Sequence, residues 1–134
     1  MERQRVTSIR ADKAPAFWAT GAPPRRILES EIKADVLVEL NAVDGVWAAN
    51  HPTGVGLSMD GARVIRFGIV GSGDILASVD GRLVWIETKT ERGQQSDDQR
   101  RFERAMRLRG IPYEVVRHGS DVRPLIQRLR ENHR

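Results

Sequence analysis

Three charged residues fall where a strand-forming run calls for apolar side chains. Asp74 opens "DILASV", and Glu87 and Lys89 close "RLVWIETK". A charge in a half-buried sheet is costly unless it is paired or holds a metal. Two carboxylates with an amine beside them can do phosphoryl chemistry. The acids hold a divalent cation through oxygen ligands, and the amine orients a water or neutralises developing charge. That chemistry requires the three side chains to meet in space.

The local pattern brings them together. In "VWIETKT" a period of two sets Trp85, Glu87 and Lys89 on one face and Val84, Ile86 and Thr88 on the other. Glu87 and Lys89 then lie about 7 Å apart along the strand. Asp80-Gly81 between two alternating runs is the strongest short-range hairpin signal, and closure there places position 74 opposite 87. Like charges facing each other destabilise a sheet, so a cation should stand between them. Lys89 is one candidate and a divalent metal the other. Gly71-Ser72-Gly73, just before Asp74, leaves room for backbone or ligand to approach closely. The bland alternative is that Asp74 caps a turn while Glu87 and Lys89 form a solvated edge-strand pair that blocks aggregation.

Further elements must position this hairpin. Leu28, Ile32, Val36 and Leu40 recur at i, i+4, i+8 and i+12, which predicts a helix over about 26–41. "GVWAAN" reads as a strand stopped by "HPTG", and "GARVIRFGIV" as a second strand with glycine-rich joints. Ser96 and Gln99 make a capping box that opens a helix over about 97–109, ended by Gly110. "YEVV" is another strand, and Ser120 caps a last helix whose apolar face is Val122, Leu125, Ile126 and Leu129. The order α-β-β-β-β-α-β-α describes an α/β domain over 27–134, a mixed sheet flanked by helices. Residues 1–26, ending in "GAPPRR", read as an arm or extension, with Phe17 and Trp18 docked on the domain or a second subunit.

The totals narrow the class. At 134 residues the chain is one domain's worth, and without cysteine it has neither disulfides nor thiolate metal ligands. No run of about 18 apolar residues is present to span a bilayer, and "MERQRVTSIRADK" lacks the apolar stretch of a secretory signal. The expectation is a soluble cytoplasmic protein with no membrane partner. The net charge of +4 divides unevenly: residues 1–26 hold six Arg/Lys against two acids, 27–91 five against ten, and 92–134 eleven against six. An acidic centre between basic ends suits a metalloenzyme that grips phosphates, although a charge-rich surface also simply confers solubility. Arg100, Arg104 and Arg107 form a stripe opposite Phe102 and Met106 that could track a DNA backbone or be a solvated helix face. His51, His118 and His133 are too scattered for a triad or zinc site, and the pattern assigns each to surface or loop. There is no Gly-x-x-x-x-Gly-Lys phosphate loop.

Asp74, then Glu87-x-Lys89 on the next strand, resembles the motif of the PD-(D/E)XK nuclease superfamily, with Gly73 in place of the usual proline. "KTERGQQSDDQRRF" is similar to the segment after that motif in the VRR-NUC family, and "ESEIKADVLVELNAVDGVWAANHPTG" to that family's beginning. The likeness covers about residues 28–118, and the α-β-β-β-α-β order within the predicted elements is the superfamily's core order.

The resemblance implies a restriction-endonuclease-like core and a Mg²⁺- or Mn²⁺-dependent nuclease that hydrolyses DNA, with branched or junction DNA as the preferred substrate. Asp74 and Glu87 would hold the cation with the carbonyl of Thr88 and a carboxylate from the first helix. Glu29 and Glu31 both offer that carboxylate, and helical spacing favours Glu29, which shares a face with Ile32 and Val36. Lys89 would position the attacking water. Gln99, facing inward with Phe102 and Met106, would steady Lys89 or the phosphate, or serve only the capping box. Asn50 and Gly54 match an element that lies beside the substrate, or form a plain turn. So small a core offers limited DNA-binding surface, which points to a homodimer or higher homo-oligomer. The contrasting expectation is a non-catalytic nucleic-acid-binding or assembly module on the same fold.

Overall fold

A computed structural model describes residues 25–133. The expected arm at 1–26, including Phe17 and Trp18, lies almost wholly outside them. The described chain runs α1 (Glu29–Asn41), β1 (Val46–Asn50), β2 (Gly54–Leu57), β3 (Val64–Phe67), β4 (Ile75–Val79), β5 (Arg82–Thr88), α2 (Asp97–Leu108), β6 (Tyr113–Val116), a 3₁₀ turn (Gly119–Asp121) and α3 (Val122–Glu131). It is an α/β fold whose main sheet has the order β1-β4-β5-β6. β1, β4 and β5 run antiparallel and β6 is parallel to β5, so the sheet is mixed. A parallel neighbour needs a crossover, and α2 supplies it.

Alternation along the strands divides the sheet into two faces. Ala48, Ile75, Ala77, Val79, Val84, Ile86 and Val116 point to one side, where Ile32, Val36 and Leu40 of α1 and Val122, Leu125 and Ile126 of α3 complete a single core. Burying each of the larger aliphatic side chains is worth about 1.5–3 kcal/mol, enough to fix the register. The other face carries Trp85 and Tyr113. There Phe102 of α2 packs edge-on against Trp85 at 5.3 Å between ring centroids and lies 6.0 Å from Tyr113. Among the described residues no helix is long and apolar enough to cross a membrane.

The joints follow their residues. Asp80 and Gly81 both take positive φ, at 51° and 82°. A two-residue hairpin turn that matches the right-handed twist of its strands requires this. Ser96 and Gln99 form the capping box in both directions. Asn41 closes α1 with its side chain, donating from Nδ2 to the Leu37 and Ala48 carbonyls and accepting the Ala48 N–H.

Four expectations need correction. A strand at Gly54–Leu57 is added, paired antiparallel with Val64–Phe67. The strand expected across 61–70 is therefore short and belongs to a separate two-stranded sheet. Leu28 precedes α1 in extended conformation and is exposed, outside the buried stripe that begins at Ile32. Ser120 makes no cap: it lies in the 3₁₀ turn, and Asp121 Oδ2 instead accepts the Arg117 and His118 N–H groups.

Candidate metal centre

Asp74 immediately precedes β4, and Glu87 is the penultimate residue of β5. Since Ile75 faces Ile86, the next facing pair along the ladder is Asp74 and Glu87. Gly73 allows this approach. A Cβ there would sit 2.6 Å from the Ile86 carbonyl oxygen, so a side chain, proline included, would push the two strands apart. Gly71, with positive φ, gives similar clearance to the first turn of α2, where a Cβ would collide with the Asp98 carbonyl.

Each carboxylate is oriented by named partners. Asp74 Oδ2 accepts from the Thr88 backbone N–H at 3.0 Å and from the Thr88 hydroxyl at 2.6 Å. Thr88 is fully buried, and its amide and hydroxyl fix Asp74. Glu87 is only 2% exposed, an unusual place for an acid. Its Oε1 accepts from Gln99 Nε2 at 2.8 Å and lies 3.3 Å from Lys89 Nζ. Its Oε2 is buried with no hydrogen-bond partner. Burial, and then the Asp74 carboxylate, push the Glu87 acid up to about 7, while Lys89 pulls the other way.

Glu29, at the start of α1, completes the cluster. One oxygen from each of Glu29, Asp74 and Glu87 lies within 4.8 Å of the other two. Three carboxylates at that spacing, one of them dry and with an orphaned oxygen, match the oxygen-rich surroundings that Mg²⁺ or Mn²⁺ takes. Glu31, the other acid of the first turn, points elsewhere and pairs with Arg25 at 2.9 Å.

The loop from Lys89 to α2 is fastened from outside. Arg117, just after β6, donates through one guanidinium nitrogen to the carbonyl oxygens of Thr90, Glu91 and Gly93. The Lys89 N–H donates to the Val116 carbonyl at 3.0 Å. Gln99 unites the two roles that its position offered. Its Oε1 accepts the Ser96 N–H for the capping box while its Nε2 holds Glu87.

The remaining expected residues divide. Asn50 is exposed at the end of β1 and faces Ile75, one position from Asp74. Gly54 opens β2 beneath Phe67, whose Cζ would stand 2.8 Å from a Cβ at 54. Arg100 pairs with Asp97 at 3.2 Å, and Arg104 is exposed with no ion pair among the described residues. Arg107, half exposed, is held from two sides. It bonds Glu103 at 2.8 Å and the Tyr113 carbonyl at 2.7 Å, so it ties α2 to β6.

Two residues near the site escaped sequence reasoning. His51 is half-buried, its backbone N–H donating to the Asp74 backbone carbonyl at 2.6 Å and its ring edge-on to Trp85 at 5.0 Å, with Nε2 buried and unpartnered. His51 thus sits in the loop after β1, as expected, and its backbone braces Asp74. Tyr113 is fully buried, and its phenol is shifted upward by burial and by the nearby Glu87 charge. The "NHP" stop after β1 marked the place of His51 but carried no signal of contact with a strand far along the chain. Comparisons with protein-family models, with curated proteins and with solved structures return no match.

Proposed function

We propose that the chain is a metal-dependent deoxyribonuclease of the VRR-NUC type on a restriction-endonuclease-like core. The observation that carries the reading is the buried Glu87, clustered with Asp74 and Glu29, with one oxygen held by Gln99 and Lys89 and the other unpartnered. A dry acid with a free oxygen next to two more acids is an unfavourable arrangement unless a cation completes it. Within the main sheet and its helices the order is α1-β1-β4-β5-α2-β6, the α-β-β-β-α-β order expected of that core.

Glu29, Asp74 and Glu87, with the Thr88 carbonyl, would hold Mg²⁺ or Mn²⁺. Such a cation supplies Lewis-acid stabilisation of charge on a phosphate oxygen and lowers the pKa of a water. The chain's own residues do the rest. Thr88 fixes the direction of Asp74, and Gln99 fixes that of Glu87. Lys89, mostly buried beside Glu87, has three donors, which leaves some beyond Glu87 to orient the attacking water. The water oxygen adds to phosphorus and gives up a proton to solvent, the bond from phosphorus to the leaving sugar oxygen breaks, and that oxygen takes up a proton. The choice of DNA, and of branched DNA, rests on the family resemblance, with Arg104 and the basic C-terminal part of the chain available to phosphates.

The test incubates plasmid, linear and four-way-junction DNA with the protein and Mg²⁺ or Mn²⁺, beside Glu87→Ala and Lys89→Ala. Cleavage by the wild type alone is expected, with a loss of at least about 100-fold in each variant. Equal cleavage by all three would point to contamination and leave a non-catalytic nucleic-acid-binding module as the better reading.

A further inference from the structure

Between His51 and Asp74 the chain leaves the main sheet, forms the β2–β3 hairpin and returns. The two ends of this excursion meet at the candidate metal centre, where the His51 backbone N–H donates to the Asp74 carbonyl at 2.6 Å. The base of the hairpin is tight, since a Cβ at Gly68 would stand 2.9 Å from the Pro52 carbonyl oxygen. Gly54, where β2 starts, follows His51 closely enough in the chain to lie within about 11 Å of it. That is about three base steps of a duplex, at about 3.4 Å each.

We propose that this hairpin is a wedge that enters a DNA base stack beside the scissile phosphate, with Leu57 and Met59 parting the bases and Phe67 stacking on one that is released. The proposal rests on the reading of the chain as a DNA nuclease. The hairpin is apolar on both sides and at its end. Val55, Leu57 and Val64 are 60%, 69% and 63% exposed on one face, Ile65 and Phe67 are about half exposed on the other, and Met59 at the tip is fully exposed. A globular partner would cover one face and leave the other wet. The bases of a parted stack lie on each side of what parts them, and proteins that kink DNA insert apolar side chains between base steps in this way.

Phe67 is set to receive a base. Its ring lies over Gly54, with Cζ 2.8 Å from where a Cβ would be, yet the residue stays 48% exposed. Gly56, on the same face opposite Ile65, has nothing within 4 Å of where its Cβ would be. The two glycines leave a flat strip beside the ring. The charges agree with this occupant. Over residues 52–70 the charged side chains are Asp60, Arg63 and Arg66, and Asp60 is engaged by the Ser58 hydroxyl and the Ala62 N–H at the tip. Both arginines are exposed and can meet phosphates, but two are too few to track a backbone, which leaves contact with bases as the hairpin's main role. A wedge of this kind selects DNA whose stack is already broken, at a nick or a branch, because parting it there costs least.

The test uses 2-aminopurine, an adenine analogue that brightens when unstacked, placed beside a nick in a duplex. The full chain carries Glu87→Gln to suppress cutting, and binding is followed by the anisotropy of a remote dye. Binding should brighten the probe. Leu57→Ser with Met59→Ser should abolish the brightening and weaken binding to the nicked duplex about 10-fold, as expected for one lost stacking contact. Affinity for an intact duplex should hold, since Arg63 and Arg66 remain, and the circular dichroism should not change, because both replaced side chains are exposed. A probe that stays dark in the bound state, or that brightens equally with both serines, would overturn the proposal. So would hairpin-dependent binding to phosphatidylcholine–phosphatidylserine vesicles without brightening, which would assign the hairpin to a lipid surface. Cleavage is scored separately, with the Glu87 protein and Mg²⁺. Brightening without cleavage sinks the nuclease reading and keeps the wedge, cleavage without brightening does the reverse, and a chain that binds no DNA sinks both.

Discussion

Replacing Glu87 by Gln should remove a specific slope from the pH dependence of stability. Unfolded, this acid titrates near its ordinary 4.5; folded, burial and Asp74 push it up to about 7. The native state therefore holds the proton more tightly than the unfolded chain does. The stabilising contribution is fully present below pH 4.5 and is lost as pH rises through about 7. The shift corresponds to about 3 kcal/mol between those limits. Solvent screens it little, because the group is 2% exposed. The loss of Lys89's partner moves the whole Gln profile by a constant and leaves its slope alone. Thermal unfolding followed by circular dichroism across that interval, in EDTA, should show the wild type losing about 10 °C more than Glu87→Gln, at roughly 3 °C per kcal/mol for a chain of this length. Adding Mn²⁺ at the alkaline end should restore the wild type selectively, since a ligand that binds only the native state stabilises it by mass action. Parallel profiles for the two proteins would refute the reasoning, because they would mean that Glu87 titrates as an ordinary surface acid.

Gln99→Ala removes one half of the capping box and a bond to a buried carboxylate. It should destabilise the protein by about 1–2 kcal/mol, measured by denaturant unfolding. Gln99→Glu keeps an acceptor for the Ser96 N–H but sets a second acid against Glu87, where the amide now donates at 2.8 Å. Its loss of stability should therefore grow as pH rises from about 5 to about 8 in the same assay. Gly73→Ala, whose Cβ would meet the Ile86 carbonyl, should cost about 2–3 kcal/mol and lower metal affinity as the Asp74–Glu87 spacing widens. Unfolding and calorimetric titration with Mn²⁺ read the two effects. Arg104→Ala should weaken DNA binding and reduce the magnitude of the salt slope by about 0.9, as expected for one lost phosphate contact. Arg107→Ala should lower the melting temperature instead, since Arg107 holds the Tyr113 carbonyl. Fluorescence anisotropy across salt concentrations separates the two arginines.

The hairpin bearing Asp74 and Glu87 was readable because an Asp-Gly pair between alternating runs leaves almost one way to close, and closure dictates which residues face. Glu29 was separable from Glu31 because helical spacing alone puts it on the side of Ile32. What lay beyond reach were contacts between distant elements. "GVGL" carries two glycines and little strand propensity, so β2 emerges only through pairing with β3. His51 meets Trp85 across a separation of chain that no local period encodes. Gln99 was visible as a cap and as an inward residue, but a single side chain serving both ends at once is a fact of docking.

Arg117 grips the stretch between Lys89 and α2 by its carbonyl oxygens alone. Every residue type carries that oxygen, so the clasp is blind to what the stretch is made of. Arg92 and Gln94 can therefore be rewritten, to retune charge at the rim or to carry a fluorescent label, while the amine at 89 and the amide at 99 keep their spacing. One arginine just past β6 thus turns the span into an editable handle.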